Sequence, residues 1–175
     1  IGISYRGLKQ LDSARFALEK ALVINTRLGA TQNLAHNFNN LANVYKQQKD
    51  RERAEEFYQK ALVLNTKLGN SYEQAQNLNN LADLYLSQKE FGKTKINLDK
   101  AYVIINKIRA DQMKTDYLYI KANYFAGIRA YESCANTWRD YSKLRDSMFT
   151  ANRSKQFNQL KVLADAEKEV QKVQF

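Results

Sequence analysis

The sequence has no proline, one cysteine, one histidine and six glycines in 175 residues. The missing proline argues against turn-rich all-β folds and for uninterrupted helices. A single cysteine excludes a disulfide framework and any Cys-rich zinc site within the chain. A single histidine removes His-pair metal sites and argues against a histidine-based catalytic site. No apolar run approaches the roughly 20 residues of a membrane-spanning helix. What is present is basic and aromatic. There are 28 Lys+Arg against 18 Asp+Glu, a formal net charge of +10, with 11 Tyr and 8 Phe. That aromatic content is incompatible with a disordered basic tail, and the length suffices for about one domain with a sizeable core. The chain starts at Ile1, not Met, without a signal peptide, as expected of a fragment or processed product.

Self-similarity organises the chain. Ala21-Leu22-Val23-Ile24-Asn25-Thr26-Arg27-Leu28-Gly29 returns 40 residues later as Ala61-Leu62-Val63-Leu64-Asn65-Thr66-Lys67-Leu68-Gly69. Asn37-Phe38-Asn39-Asn40-Leu41-Ala42 returns as Asn77-Leu78-Asn79-Asn80-Leu81-Ala82. The same offset relates Tyr5, Tyr45, Tyr85 and Phe125; Ala14, Ala54, Thr94 and Cys134; Leu18, Tyr58, Leu98 and Trp138; and Ala21, Ala61, Ala101 and Tyr141. A fixed period of this size is the mark of a repeat architecture whose units bury their faces against one another.

Each unit reads as two helices. In the best-preserved unit the first runs near Ala35–Gln48, with Phe38, Leu41, Ala42 and Tyr45 on one face. Lys49-Asp50 is a polar turn, and a second helix carries Ala54, Phe57, Tyr58, Ala61, Leu62 and Leu68. Gly69, like Gly29, stands where a left-handed cap would end it. The alanines let two helix backbones approach closely, and the tyrosines fill the space beside them.

Leu-Ala, then Tyr, Ala, an aromatic and Ala, in order and in several copies, resembles the tetratricopeptide repeat from Ile1 to about Tyr141. The resemblance implies an all-α fold, a right-handed α-solenoid of antiparallel helix pairs. The four units would span residues 1–141, the first truncated and the fourth degenerate. Two departures stand out. The period is 40 residues rather than about 34. Thr26, Thr66 and Asn106 stand where the family often has proline. Without that proline the second helix is free to run on by a turn or more, so both departures have one explanation. The longer unit and its Asn-Asn-Leu-Ala signature resemble the long-helix branch that includes kinesin light chain repeats.

Residues 142–175 leave the repeat pattern. They are rich in Lys, Gln, Glu and Ala and free of Gly and Pro, so a helix is expected. A break near Thr150–Asn152 is expected if Asn152 acts as an N-cap. Phe157, Leu160, Leu163, Val170 and Val173 form a thin apolar stripe. The segment would serve as a capping helix over the last unit, or as a connector. Lys143-Leu144-Arg145-Asp146-Ser147 and Ser154-Lys155-Gln156 resemble the end of the tetratricopeptide sensor region in Bacteroidetes-type signalling proteins. That resemblance implies a membrane span and a histidine kinase or DNA-binding output beyond Phe175. The compartment would then be the periplasm, and otherwise the cytoplasm.

By the same family resemblance the first helices line a concave groove. The candidate partner-binding residues are Arg6 in the first unit and His36, Asn39, Asn40, Asn43, Lys46 and Gln47 in the second. The third contributes Gln76, Asn79, Asn80 and Asp83, and the fourth Tyr119 and Asn123, with Ser87 and Asp116 alongside. Asparagine costs roughly half a kcal/mol in a helix interior relative to alanine, so its repetition invites an explanation. An amide both donates and accepts and can grip the backbone of an extended peptide. The alternative is that Asn40 and Asn80 bond to a neighbouring helix and organise the stack.

This groove mixes Arg6 and Lys46 with Asp83 and Asp116, so the net positive charge must lie outside it, at positions such as Lys93, Lys95, Lys100, Lys107 and Arg109. Nucleic-acid binding would need a basic stripe with free aromatics, whereas most aromatics here occupy packing positions. His36 reads as a surface residue, Cys134 as a buried thiol in an alanine position, and Trp138 as core. There is no phosphate-binding Gly-rich loop, catalytic triad or metal-ligand spacing. The expectation is a non-catalytic binding module for a peptide or protein partner, with no cofactor, metal or small-molecule substrate. The competing expectation is a spacer or dimerisation element, with the tail pairing between chains.

Overall fold

The computed structural model describes the backbone of residues 2–173 and the side-chain surroundings of residues 10–161. Seven helices and no strands occur among the described residues: α1 Gly2–Arg27, α2 Thr31–Gln47, α3 Arg51–Lys67, α4 Ser71–Ser87, α5 Phe91–Ile108, α6 Asp111–Gly127 and α7 Tyr131–Val173. Consecutive helices pack pairwise, and α4 also meets α6. The result is an all-α solenoid of helix pairs.

The turns recur at half the repeat. Gly29, Lys49, Gly69, Lys89, Arg109 and Arg129 all have positive φ, between 51° and 67°. They stand every 20 residues along the chain. At most of them the next amide reaches back to close the helix end, as in Asp50 N to Tyr45 O at 2.9 Å and Asn70 N to Asn65 O at 3.0 Å. The same residue then starts the next helix. Asp50 accepts from the Arg53 amide at 3.1 Å and Asn70 from the Glu73 amide at 3.3 Å. Stop and start signals on adjacent residues force neighbouring helices antiparallel.

Gly29 and Gly69 therefore cap as the sequence predicts, but Arg109 takes the third such position against the left-handed penalty of a β-carbon. Replacing Arg109 with glycine is expected to stabilise the chain by about 0.5–1 kcal/mol, after the entropy that glycine loses on folding. Thermal denaturation should show a Tm roughly 1–4 °C higher. A lower Tm would mean that the arginine side chain holds the turn.

The extra length of the unit comes from both helices, not from the second alone. The first helix of the best-preserved unit starts at Thr31, a turn before Ala35, and α2 and α3 are each 17 residues long. Thr66 does sit inside α3, where its Oγ1 donates to the Leu62 carbonyl at 2.8 Å. The first unit also differs from expectation, because α1 runs unbroken past Lys9-Gln10, the counterpart of Lys49-Asp50. Gln10 lacks the short acceptor side chain with which Asp50 caps α3. At the other end α7 continues without a break through Thr150–Asn152. Residues 151–161 are all exposed, so this stretch does not fold back over the last unit. Leu163, Val170 and Val173 lie outside the residues whose side chains are described, as does Arg6.

Two buried clusters carry the stack. One joins Leu41, Ala42, Tyr45, Ala54, Tyr58, Leu81, Leu84 and Tyr85. The other gathers Ala75, Leu78, Ala82, Leu98, Ala101 and Ile105 with Met113, Tyr117, Leu118 and Ile120. Leu62 packs against both. The small positions Ala42, Ala54, Ala61, Ala82 and Ala101 are fully buried, which is why helix backbones can approach there.

Candidate functional site

A cleft of about 410 Å³ opens between α4, α6 and α7. α4 supplies Tyr72, Gln76, Asn79, Asn80 and Asp83, while α6 supplies Met113, Asp116, Tyr119 and Ile120, with Tyr141 from α7. On each helix these residues recur at spacings of three and four, so one face of α4 looks across at one face of α6. Five of the candidates read from sequence thus meet in one place: Gln76, Asn79, Asn80, Asp83 and Tyr119.

The asparagines divide. Asn39, Asn77 and Asn79 are buried, and Asn65 on α3 is 2 % exposed. Asn65 Nδ2 donates to Asn77 Oδ1 at 2.7 Å, and Asn77 Nδ2 donates to Asn39 Oδ1 at 2.9 Å. Asn80 Nδ2 adds a bond to the same Asn39 oxygen at 3.1 Å. This amide ladder ties α3, α4 and α2 together. Asn39 is therefore a stacking residue rather than a groove contact, since its oxygen already serves two donors. Asn80 organises the stack through Nδ2 while still lining the cleft. Asn79 donates to the Met113 carbonyl at 3.3 Å, and its buried Oδ1 has no partner among the described residues.

The remaining candidates lie elsewhere. Asn43 accepts the Tyr58 hydroxyl at 2.5 Å. Lys46 forms an ion pair with Asp83 between α2 and α4. Asn40 and Gln47 are exposed, and His36 is half-buried, all three away from the cleft. Asn123 returns its Nδ2 to the Tyr119 carbonyl of its own helix at 2.9 Å.

With Asp83 paired to Lys46, Asp116 is the cleft's uncompensated carboxylate. Desolvation at the cleft pushes its carboxyl above the usual range, so a cationic group placed there would gain from it. Tyr72 and Tyr119 are each 49 % exposed. Tyr119 meets Trp138 edge-on at 5.6 Å, and Trp138 meets Tyr141 at 5.3 Å. Trp138 is consequently not a core residue like Tyr58 and Leu98 at the equivalent positions. It is half-buried, as is Cys134, because no further described unit covers that side of α7. Tyr72 escaped the sequence because the first helices were expected to begin a turn later.

Matches to the tetratricopeptide repeat pattern cover residues 1–67 and 31–102. The chain belongs to the tetratricopeptide repeat family. Such repeats in general mediate protein–protein interaction and are non-catalytic. Among solved structures the chain is similar to BtubC (BKLC) from P. vanneervenii, with a TM-score of 0.72 and 22 % identity. The match covers 82 % of this chain and 60 % of that one, so the chain spans little more than half of that protein. No curated protein matches. Among the described residues there is no cluster of three His, Cys, Asp or Glu able to hold a metal, and no helix long and apolar enough to cross a membrane.

Proposed function

We propose that the cleft between α4, α6 and α7 binds an extended segment of a partner protein. The observation that carries this is the cleft's lining: the free amide group of Gln76, the carboxylate of Asp116, and the exposed rings of Tyr72 and Tyr119. Amides suit a peptide backbone, and the rings supply contact area at low entropic cost. Asp116 would select a Lys or Arg side chain. By the resemblance of the tail, the module would belong to the sensory region of a larger signalling protein, with α7 leading towards an output domain.

Peptides selected by display on the wild-type chain provide the probe. Tyr119→Ala is expected to weaken them at least tenfold, about 1.4 kcal/mol. Asp116→Asn should weaken selectively those with a central Lys or Arg. Both positions are exposed, so helicity should persist, and unchanged affinity in both variants would refute the site.

A second reading rests on α7. Phe149, Phe157 and Leu160 are each about two-thirds exposed, and at helical spacing they fall on one side. In this reading they pair with a second copy. Light scattering should then give a dimer for the full chain and a monomer after removal of residues 151–175. Two monomers would end that reading.

A further inference from the structure

On the face of α6 turned away from the peptide cleft lies a second one, of about 480 Å³. Lys114, Tyr117, Leu118 and Lys121 of α6 form its floor, with Tyr102 from α5 and Asp140, Lys143 and Leu144 from α7. Comparison by repeat position shows how unusual this lining is. Lys121 stands where Leu41 and Leu81 are buried, and Tyr117 where Asn37 and Asn77 are. At the preceding junction Asn77 completes the amide ladder, whereas here Tyr117 and Lys121 replace amide and leucine together.

An ammonium in a leucine position needs a reason. Lys121 Nζ lies 5.4 Å from the Tyr117 ring centre and 5.7 Å from that of Tyr102. Neither it, Lys114 nor Lys143 has an acidic partner within ion-pair distance among the described residues. Tyr117 is 4 % exposed, and its hydroxyl has no hydrogen-bond partner among the described residues. Burial, reinforced by Tyr102 and Asp99, pushes this phenol up to about 12, so it stays protonated and able to donate. Among the lining residues three ammonium groups face the single carboxylate of Asp140, and nearby Asp99 is paired with Lys95 at 2.6 Å, which leaves two positive charges in one cleft. That matches a phosphate dianion, which accepts several hydrogen bonds at once. Leu118, Leu144 and the Tyr102 ring add an apolar wall that inorganic phosphate would not use but an aromatic stem would.

We infer that this outer cleft binds a phosphate monoester on an aromatic stem, a phosphotyrosine side chain of a partner, independently of the inner cleft. The test titrates the full chain with a short glycine-rich peptide carrying one phosphotyrosine, its unphosphorylated form, its glutamate form and inorganic phosphate. The phosphorylated peptide should bind at least tenfold tighter than each of the others. Lys121→Leu restores the residue that the other units use, so it should fold normally, and it should lose at least tenfold in phosphopeptide affinity. Peptides bound in the inner cleft should not respond to it. Equal binding of all forms, tight binding of the glutamate form, inorganic phosphate matching the phosphopeptide, or undiminished binding by Lys121→Leu would each overturn the assignment.

Discussion

Replacing Tyr58 with alanine is expected to destabilise the chain by about 3–5 kcal/mol, the range for truncating a large, fully buried ring. Tyr58 has no exposed surface and is among the largest side chains so enclosed. It sits on α3 in the cluster that also holds Leu41 and Ala42 of α2 and Leu81 and Leu84 of α4. Truncation would therefore empty a space shared by three helices. Ala42 and Ala54 in the same cluster are themselves fully buried, which limits collapse into the void. The hydroxyl adds a second loss, because Asn43 would be left without the Tyr58 donor. Tyr58→Phe isolates that part and should cost about 1 kcal/mol. In a stack where each unit leans on its neighbours, loss of this contact should also broaden the melting transition. Urea titration followed by circular dichroism measures both variants. A cost for Tyr58→Ala below about 1.5 kcal/mol would show that the neighbouring helices can close the gap.

Asn77→Ala should cost about 3 kcal/mol, an unusual penalty for losing one neutral amide. The side chain is fully buried and makes both of its ladder bonds, to Asn65 and Asn39. Removing it strands the Asn65 amide donor in a site with no water access, and each such orphan costs about 1–3 kcal/mol. Asn39 keeps one donor, from Asn80, which sets the upper limit. Calorimetry should show Tm lowered by roughly 6–12 °C. Asn80→Ala is the control. Asn80 is only partly buried, so its loss should cost under about 1 kcal/mol. If Asn80→Ala proves the more damaging, the ladder is not what couples α2, α3 and α4. The double change Asn65→Leu with Asn77→Leu removes donor and acceptor together, and should be milder than Asn77→Ala alone.

The asparagines mark where the sequence stopped being informative. Asn39, Asn40, Asn79 and Asn80 look alike in a repeat written out by position, yet Asn39 and Asn79 are buried while Asn40 faces solvent. An amide is equally suited to a peptide backbone and to another amide, so its residue type does not reveal its partner. The helix ends show a similar limit. Glycine announces the left-handed position at Gly29 and Gly69, but Lys49, Lys89 and Arg129 adopt it without any such signal. The terminal unit adds a third case. Cys134 and Trp138 occupy core positions by repeat count, but no described unit lies beyond α7 to bury them.

The sequence by itself determined the period, the helix pairs and the family, because burial in a stack repeats with the chain and leaves its pattern in residue types 40 positions apart. Tertiary structure decided which polar residues are free. It drew Asn39 into a ladder, paired Lys46 with Asp83, and left Gln76, Asp116 and Tyr119 facing a common cleft. It also set Lys121 beside Tyr117, Tyr102 and Lys143 on the other side of the same helix. The physical reason is range. Periodicity is written along the chain, whereas a site forms from faces of three helices, and their approach depends on side chains filling the space between them.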